Sequence, residues 1–181
     1  MELTDAYRLA EDLLAEPLPR RWEHSKGVAR RAESLSHILG DDAELLHAAA
    51  ILHDVGYSPT LVTSGLHQLD GGWYLRDVAH ADPRVARLVA HHSCALLEAE
   101  ERGLADVLNA EFDFERRDLM DALIHCDMTT TPDGEPTTPR ERISEIVGRY
   151  GADSVVGRFI RRAAPEILAA SARVGSRLAS A

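Results

Sequence analysis

Four side chains, His24, His53, Asp54 and Asp127, stand where apolar helix faces would otherwise continue. His24 shares a helical stripe with Val28, Ala32, Leu35 and Leu39, and His53 closes a face begun by Leu46 and Ala49. Asp127 follows Met120, Leu123 and Ile124 at the same three- and four-residue steps. Asp54 lies about 100° round the helix from His53, so both can lean toward one point. A lone buried histidine or aspartate is ordinarily a hydrogen-bonded core group, a cap or an ion-pair partner. Four such groups directed inward from three helices favour a metal centre, because uncompensated burial of carboxylates is costly. Two imidazoles with two carboxylates suit a divalent transition metal (Mn, Fe, Co, Ni or Zn) better than the all-oxygen shells of Mg or Ca.

A second set of histidines lies between the His53-Asp54 pair and Asp127: His67 in "GLHQLDGGWYL", and His91 and His92 in "LVAHHSC". His67, Gly71, Tyr74 and Leu75 fall on one helical side, compatible with an inward histidine beside a close helix contact, the alternative being a cap or surface histidine. His91 and His92 point about 100° apart, so one is expected at the site and the other in packing or substrate contact. His37, His47, His80 and His125 lack such a context and read as surface or structural groups. If a phosphate is bound, Lys26, Arg84 and Arg140 are the cationic candidates, weighed against simple exposed salt bridges.

The elements that must position these groups are helices. Apolar residues recur at helical steps, strand-like alternation is scarce, and the expected fold class is all-α. Helices are expected at 4–15, stopped by Pro17 and Pro19, and at 21–39, stopped by Gly40. A third, capped by Asp41 or Asp42, ends near Asp54. A fourth covers 66–78, where Gly71 and Gly72 imply close packing. A fifth starts at Asp82-Pro83 and carries "VARLVAHHSCALLEAE"; a sixth covers 117–128. After the polar loop "TTTPDGEPTTP", helices near 140–150, 154–162 and 165–178 close the chain. The organisation is one helical domain over 1–181, with a core at about 20–150 and C-terminal helices at 153–178.

Thirty acidic against twenty basic residues give a net charge of −10, which disfavours nucleic acid as a partner. No stretch approaches the roughly 18 apolar residues of a membrane span, and the acidic, amphipathic start is unlike a secretion signal. A soluble, cytoplasmic protein with no membrane partner is expected. Cys94 and Cys126 have no metal or disulfide spacing and read as buried thiols. Self-association into a homo-oligomer is left open.

The ordered set His24, His53-Asp54 in "ILHDVGY" and Asp127 in "HCDMTT" resembles the H…HD…D signature of the HD-domain superfamily of metal-dependent phosphohydrolases, over about residues 20–150. The resemblance implies an all-α scaffold on which His24, His53, Asp54 and Asp127 bind one ion. It further implies, as in the two-metal subfamilies, that His67, His91 and His92 hold a second ion bridged by Asp54 or donate a proton to the leaving group. Asp54, His91 and His92 are then the catalytic candidates, and the substrate is a small phosphorylated molecule attacked by metal-activated water. Tyr57 stands where many two-metal members carry lysine, and the "GYP" motif of cyclic-dinucleotide phosphodiesterases is absent. Two rivals share the ligand list: a di-iron oxygenase and a non-catalytic regulatory module.

Overall fold

The helical spacing of Leu, Ala, Val and Ile becomes eleven α-helices in the computed structural model, which describes residues 1–181. They are α1 Leu3–Leu14, α2 Pro19–Ser34, α3 Ser36–Leu39, α4 Ala43–Leu52, α5 His67–Asp77 and α6 Pro83–His91. The remainder are α7 Ala95–Arg102, α8 Ala105–Glu111, α9 Arg117–Met128, α10 Pro139–Tyr150 and α11 Val155–Ser180. An isolated bridge between Thr130 and Pro136 is the nearest approach to a sheet. The all-α expectation is met. No helix is long and apolar enough to cross a membrane.

Helix α4 is the centre of the bundle. Leu46, Ala48, Ala49, Ala50, Ile51 and Leu52 are all buried, so the helix is enclosed nearly all round, as its almost unbroken apolar sequence requires. It packs against α1, α2, α6 and α9. Each Leu or Ile removed from water contributes about 1.5–3 kcal/mol. A smaller cluster of Ile124, Met128, Ile146, Phe159, Ile160 and Ile167 joins α9 to α10 and α11.

Several boundaries differ from the sequence expectation. Pro19 begins α2 at its first turn, where no hydrogen bond is lost, and the expected 21–39 helix breaks at Leu35. The two expected C-terminal helices are one, α11, which runs through Pro165. The ring there removes a single backbone bond, while Ile160, Ala163, Ile167 and Ala170 keep one stripe buried across it. The expected helix through "VARLVAHHSCALLEAE" is broken by a 3-10 turn at His92–Cys94, with Ser93 and Cys94 at φ of 49° and 63°. That break governs the site.

Candidate metal centre

Three histidines of the cluster are fixed by backbone carbonyls. His53, the cap of α4, donates from Nδ1 to Ala50 O at 2.8 Å, using a carbonyl that the ending helix leaves free. His92, just past α6, does the same to Val89 O at 2.6 Å. His24, in α2, donates from Nδ1 to Thr131 O at 2.9 Å. That carbonyl belongs to the loop after α9, which reaches α2 because Gly27 has no side chain: a Cβ there would lie 2.5 Å from Gly134 O. A neutral imidazole carries one N–H, so a donating Nδ1 leaves a lone pair on Nε2. Three such lone pairs therefore face inward.

They face two carboxylates. His24 Nε2 lies 3.0 Å from Asp127 Oδ1, and His53 Nε2 lies 4.0 Å from the same oxygen. Asp54 Oδ2 is 3.4 Å from His53 Nε2 and 4.0 Å from His24 Nε2. The other oxygen, Oδ1, is 3.5 Å from His67 Nε2 and 3.9 Å from His92 Nε2. The two oxygens of Asp54 thus address different histidine pairs. His67 and His92 approach each other at 3.2 Å between Nε2 atoms. His24, His53, Asp54, His92 and Asp127 are all buried, and His53 Nε2 has no hydrogen-bond partner.

Lone pairs converging on carboxylates in a buried site repel unless a cation lies among them. The donor atoms of His24, His53 and Asp127 lie within 4.8 Å of one another, as do those of His53, Asp54 and His92. The orphaned Nε2 of His53, the fixed tautomers and the mixed nitrogen and oxygen donors fit a divalent transition ion. Thiolates take no part: burial pushes the Cys94 thiol up to about 12, and Cys126 higher.

Protonation is biased the same way. Burial pushes His53 down to about 4 and His67 well below the usual histidine value, His67 also through the neighbouring His92. Burial would raise Asp54, but Arg21 and the imidazoles around it hold its carboxyl well below the usual range. Burial would raise Asp127 as well, but the His24 and His53 imidazoles beside it hold its carboxyl below the usual range. The unfolded chain therefore binds more protons than the folded one between about pH 6.5 and 4 through His53, and below about pH 4 through the aspartates. Stability is complete above that window and is lost as pH falls through it. Chelated protein is expected to show a falling thermal midpoint from pH 7 to pH 5; a flat profile would contradict the neutral-histidine assignment.

Of the expected site residues, the structure brings together His24, His53, Asp54, His67, His92 and Asp127. His91 is not brought to the cluster. Its Nε2 donates to Phe112 O at 2.8 Å and its ring stacks on Phe114 at 4.2 Å, about one helical step round from His92. Of the two adjacent histidines, His92 is the one whose Nε2 lies beside Asp54, at 3.9 Å from Oδ1. Accordingly, His92→Ala is expected to lower metal affinity by at least about tenfold, whereas His91→Ala costs stability and leaves metal content intact, as metal analysis and thermal melts would reveal.

The expected cations are displaced too. Lys26 pairs with Glu23 at 2.8 Å, Arg84 pairs with Asp42 and Glu115, and Arg140 is exposed on the first turn of α10. None lines the cavity at the cluster, which is walled instead by Arg21, Arg142, Arg149, Tyr57 and Tyr150, among others. Arg21 donates to Asp54 Oδ2 at 2.5 Å and lies 3.5 Å over the Tyr57 ring, which stacks on His67 at 3.8 Å. A guanidinium from α2 thus stands over Tyr57. The signal for Arg21 was its place one turn before His24, and for Arg142 the stripe it forms with Ile146 and Arg149. Ser93 was also missed; its hydroxyl donates to Asp127 Oδ2, reachable only because of the left-handed backbone there.

Residues 21–153 match the HD domain family. Ribonuclease Y of Rubrobacter xylanophilus is 33% identical over 90 residues, covering 50% of this chain and 17% of that protein. Ribonuclease Y of Aquifex aeolicus is 33% identical over 104 residues, covering 56% of this chain and 19% of that protein. The chain spans less than a fifth of the length of these curated relatives. No solved structure matches.

Proposed function

This chain belongs to the HD-domain family, and on that premise we propose that it is a metal-dependent phosphohydrolase acting on a small phosphorylated metabolite. The observation that carries the reading is the buried set of inward Nε2 lone pairs around two carboxylates, with arginines walling the adjoining cavity. His24, His53, Asp54 and Asp127 would hold one ion. His67 and His92, with the second oxygen of Asp54, would hold another. When bound, a divalent cation supplies Lewis acidity and a water acidified to a pKa of about 7.

The chain's own groups do the rest. Asp54 and Asp127 balance positive charge in a largely buried site, where electrostatic attraction is strengthened. Thr131, Ala50 and Val89 carbonyls keep three imidazoles in the ligating tautomer. Ser93 orients Asp127. Arg21, released from Asp54 or sharing it, offers a planar donor pair to phosphoryl oxygens. Where no second ion is held, His67, 3.5 Å from Asp54 Oδ1, is placed to pass a proton to a leaving oxygen.

A second substrate reading, a phosphodiester of RNA, is favoured by the relatives being named ribonuclease Y. The net charge of −10 weighs against a long polyanion. The test is metal analysis joined to an anaerobic Mn assay across phosphomonoesters, nucleotides and short RNA oligomers. Anaerobic hydrolysis of a small phosphate ester, lost with chelator, is the expected result. Cleavage of RNA alone would favour the second reading, oxygen consumption with iron would favour the oxygenase, and a protein that binds metal but hydrolyses nothing would favour the regulatory module.

A further inference from the structure

Beside the histidine cluster opens a cleft of about 300 Å³ between the start of α2 and α10, lined by Arg20, Arg21, Arg142 and Arg149 with His24 and three prolines. Arg21, His24, Arg142 and Arg149 also line the cavity at the cluster, so the two spaces adjoin. In a chain of net charge −10, a wall of four guanidiniums is a strong local reversal. No acidic residue lines this cleft.

The arginines are only partly neutralised. Arg20 is held by Asp133 at 2.7 Å, while Arg142 and Arg149 share the single carboxylate of Glu145. Arg21 has Asp54, which is the group an ion would engage. Arg142 is the built part of the site. Its side chain is 8% exposed, yet its Nε has no partner, an expensive omission for a buried cation that an incoming anion would correct.

We propose that this cleft binds a second phosphoryl group, so that the substrate class is a diphosphate or longer phosphoanhydride rather than a simple monoester. This rests on the phosphohydrolase reading and narrows it. The phosphoryl group at the cluster is attacked by water, the P–O bond to the bridging oxygen breaks, and the departing phosphate keeps the bonding pair. One water is consumed; its oxygen joins the attacked phosphorus and its two protons are released or shared between the two phosphate products. Arg142 and Arg149, with Arg21 between the two spaces, stabilise the negative charge that gathers on the departing phosphate.

The test is binding, independent of turnover. Calorimetry on Mn-loaded protein compares methylenediphosphonate with methylphosphonate, which differ by one phosphonyl group and resist hydrolysis. Metal content is measured after each titration, so that loss of the ion to the ligand is seen. The expected result is a preference of about tenfold or more for the diphosphonate, the worth of one charge-assisted contact. Arg142→Gln should reduce that preference to about twofold or less, again within the worth of that contact, with metal content unchanged. If this variant does not fold, Arg149→Gln, whose side chain is more exposed, should reduce the preference in the same direction. Equal affinities for the two ligands, or a preference that survives in a folded Arg142→Gln or Arg149→Gln protein, would overturn the cleft assignment. Failure here with phosphomonoesterase activity intact leaves the hydrolase reading standing, while absence of all hydrolysis with the preference present strikes only that reading.

Discussion

Asp54→Asn is expected to remove more activity than any other single change, about a thousandfold or more, equivalent to about 4 kcal/mol of transition-state stabilisation. The reason is the double duty of one carboxylate: Oδ2 faces His24 and His53, while Oδ1 faces His67 and His92. An amide keeps the shape but loses the charge and presents a nitrogen donor toward one histidine pair. Metal analysis should find less than one ion per chain. The substitution also strands Arg21, whose partner is Asp54 at 2.5 Å, although that side chain is 23% exposed and can turn to water. The fold should therefore survive, which a circular dichroism melt can verify. Asp54→Asn protein that retains full metal content and activity would refute the assignment of this residue to the site.

The largest effect on stability is expected from Gly56→Ala. A Cβ at position 56 would sit 1.9 Å from His67 O and 2.6 Å from Gly71 N, both backbone atoms that cannot turn aside. The 3-10 turn Val55–Tyr57 lies directly on the first turns of α5 at this point, and Gly71 returns the approach. Accommodating one methyl means pushing α5 away from the turn, at about 3 kcal/mol or more. Because His67 and Tyr57 sit on the two displaced elements, a folded fraction should also lose metal affinity. Chemical denaturation reads the first effect and calorimetry with Mn the second. A midpoint unchanged from wild type would show that α5 can slide freely, contrary to the packing.

The glycine pair illustrates how much was legible beforehand. "LDGGWYL" signalled close packing, since glycine in a helix interior is unfavourable unless something approaches it, but the partner turn at Gly56 could not be named from spacing. Helix existence was legible for the same reason along most of the chain, since the burial stripe repeats at 3.6 residues and is local in sequence; α8 was missed, because Leu108 is its one buried residue and so short a helix shows no stripe. Boundaries were less so. Pro165 reads as a helix start when only local geometry counts, yet packing of Ile160 and Ile167 on α9 and α10 carries α11 straight through it.

What the sequence determined by itself is the family and the set of groups that meet, because His24, His53, Asp54 and Asp127 each break an apolar face and must be compensated wherever they converge. Matching residues 21–153 to the HD domain agrees with that. The tertiary structure decided everything that depends on contacts between distant segments. It set His92 beside Asp54 and His67 and His91 against Phe112 and Phe114, because adjacent side chains at the end of α6 diverge and meet different neighbours. It paired Lys26 and Arg84 with carboxylates and walled the cavity at the cluster with Arg21, Arg142 and Arg149, because a cation's partner is set by which helix ends lie opposite it. Periodicity records which face of a helix is buried; only the packing of α2, α9 and α10 against one another determines what that face meets.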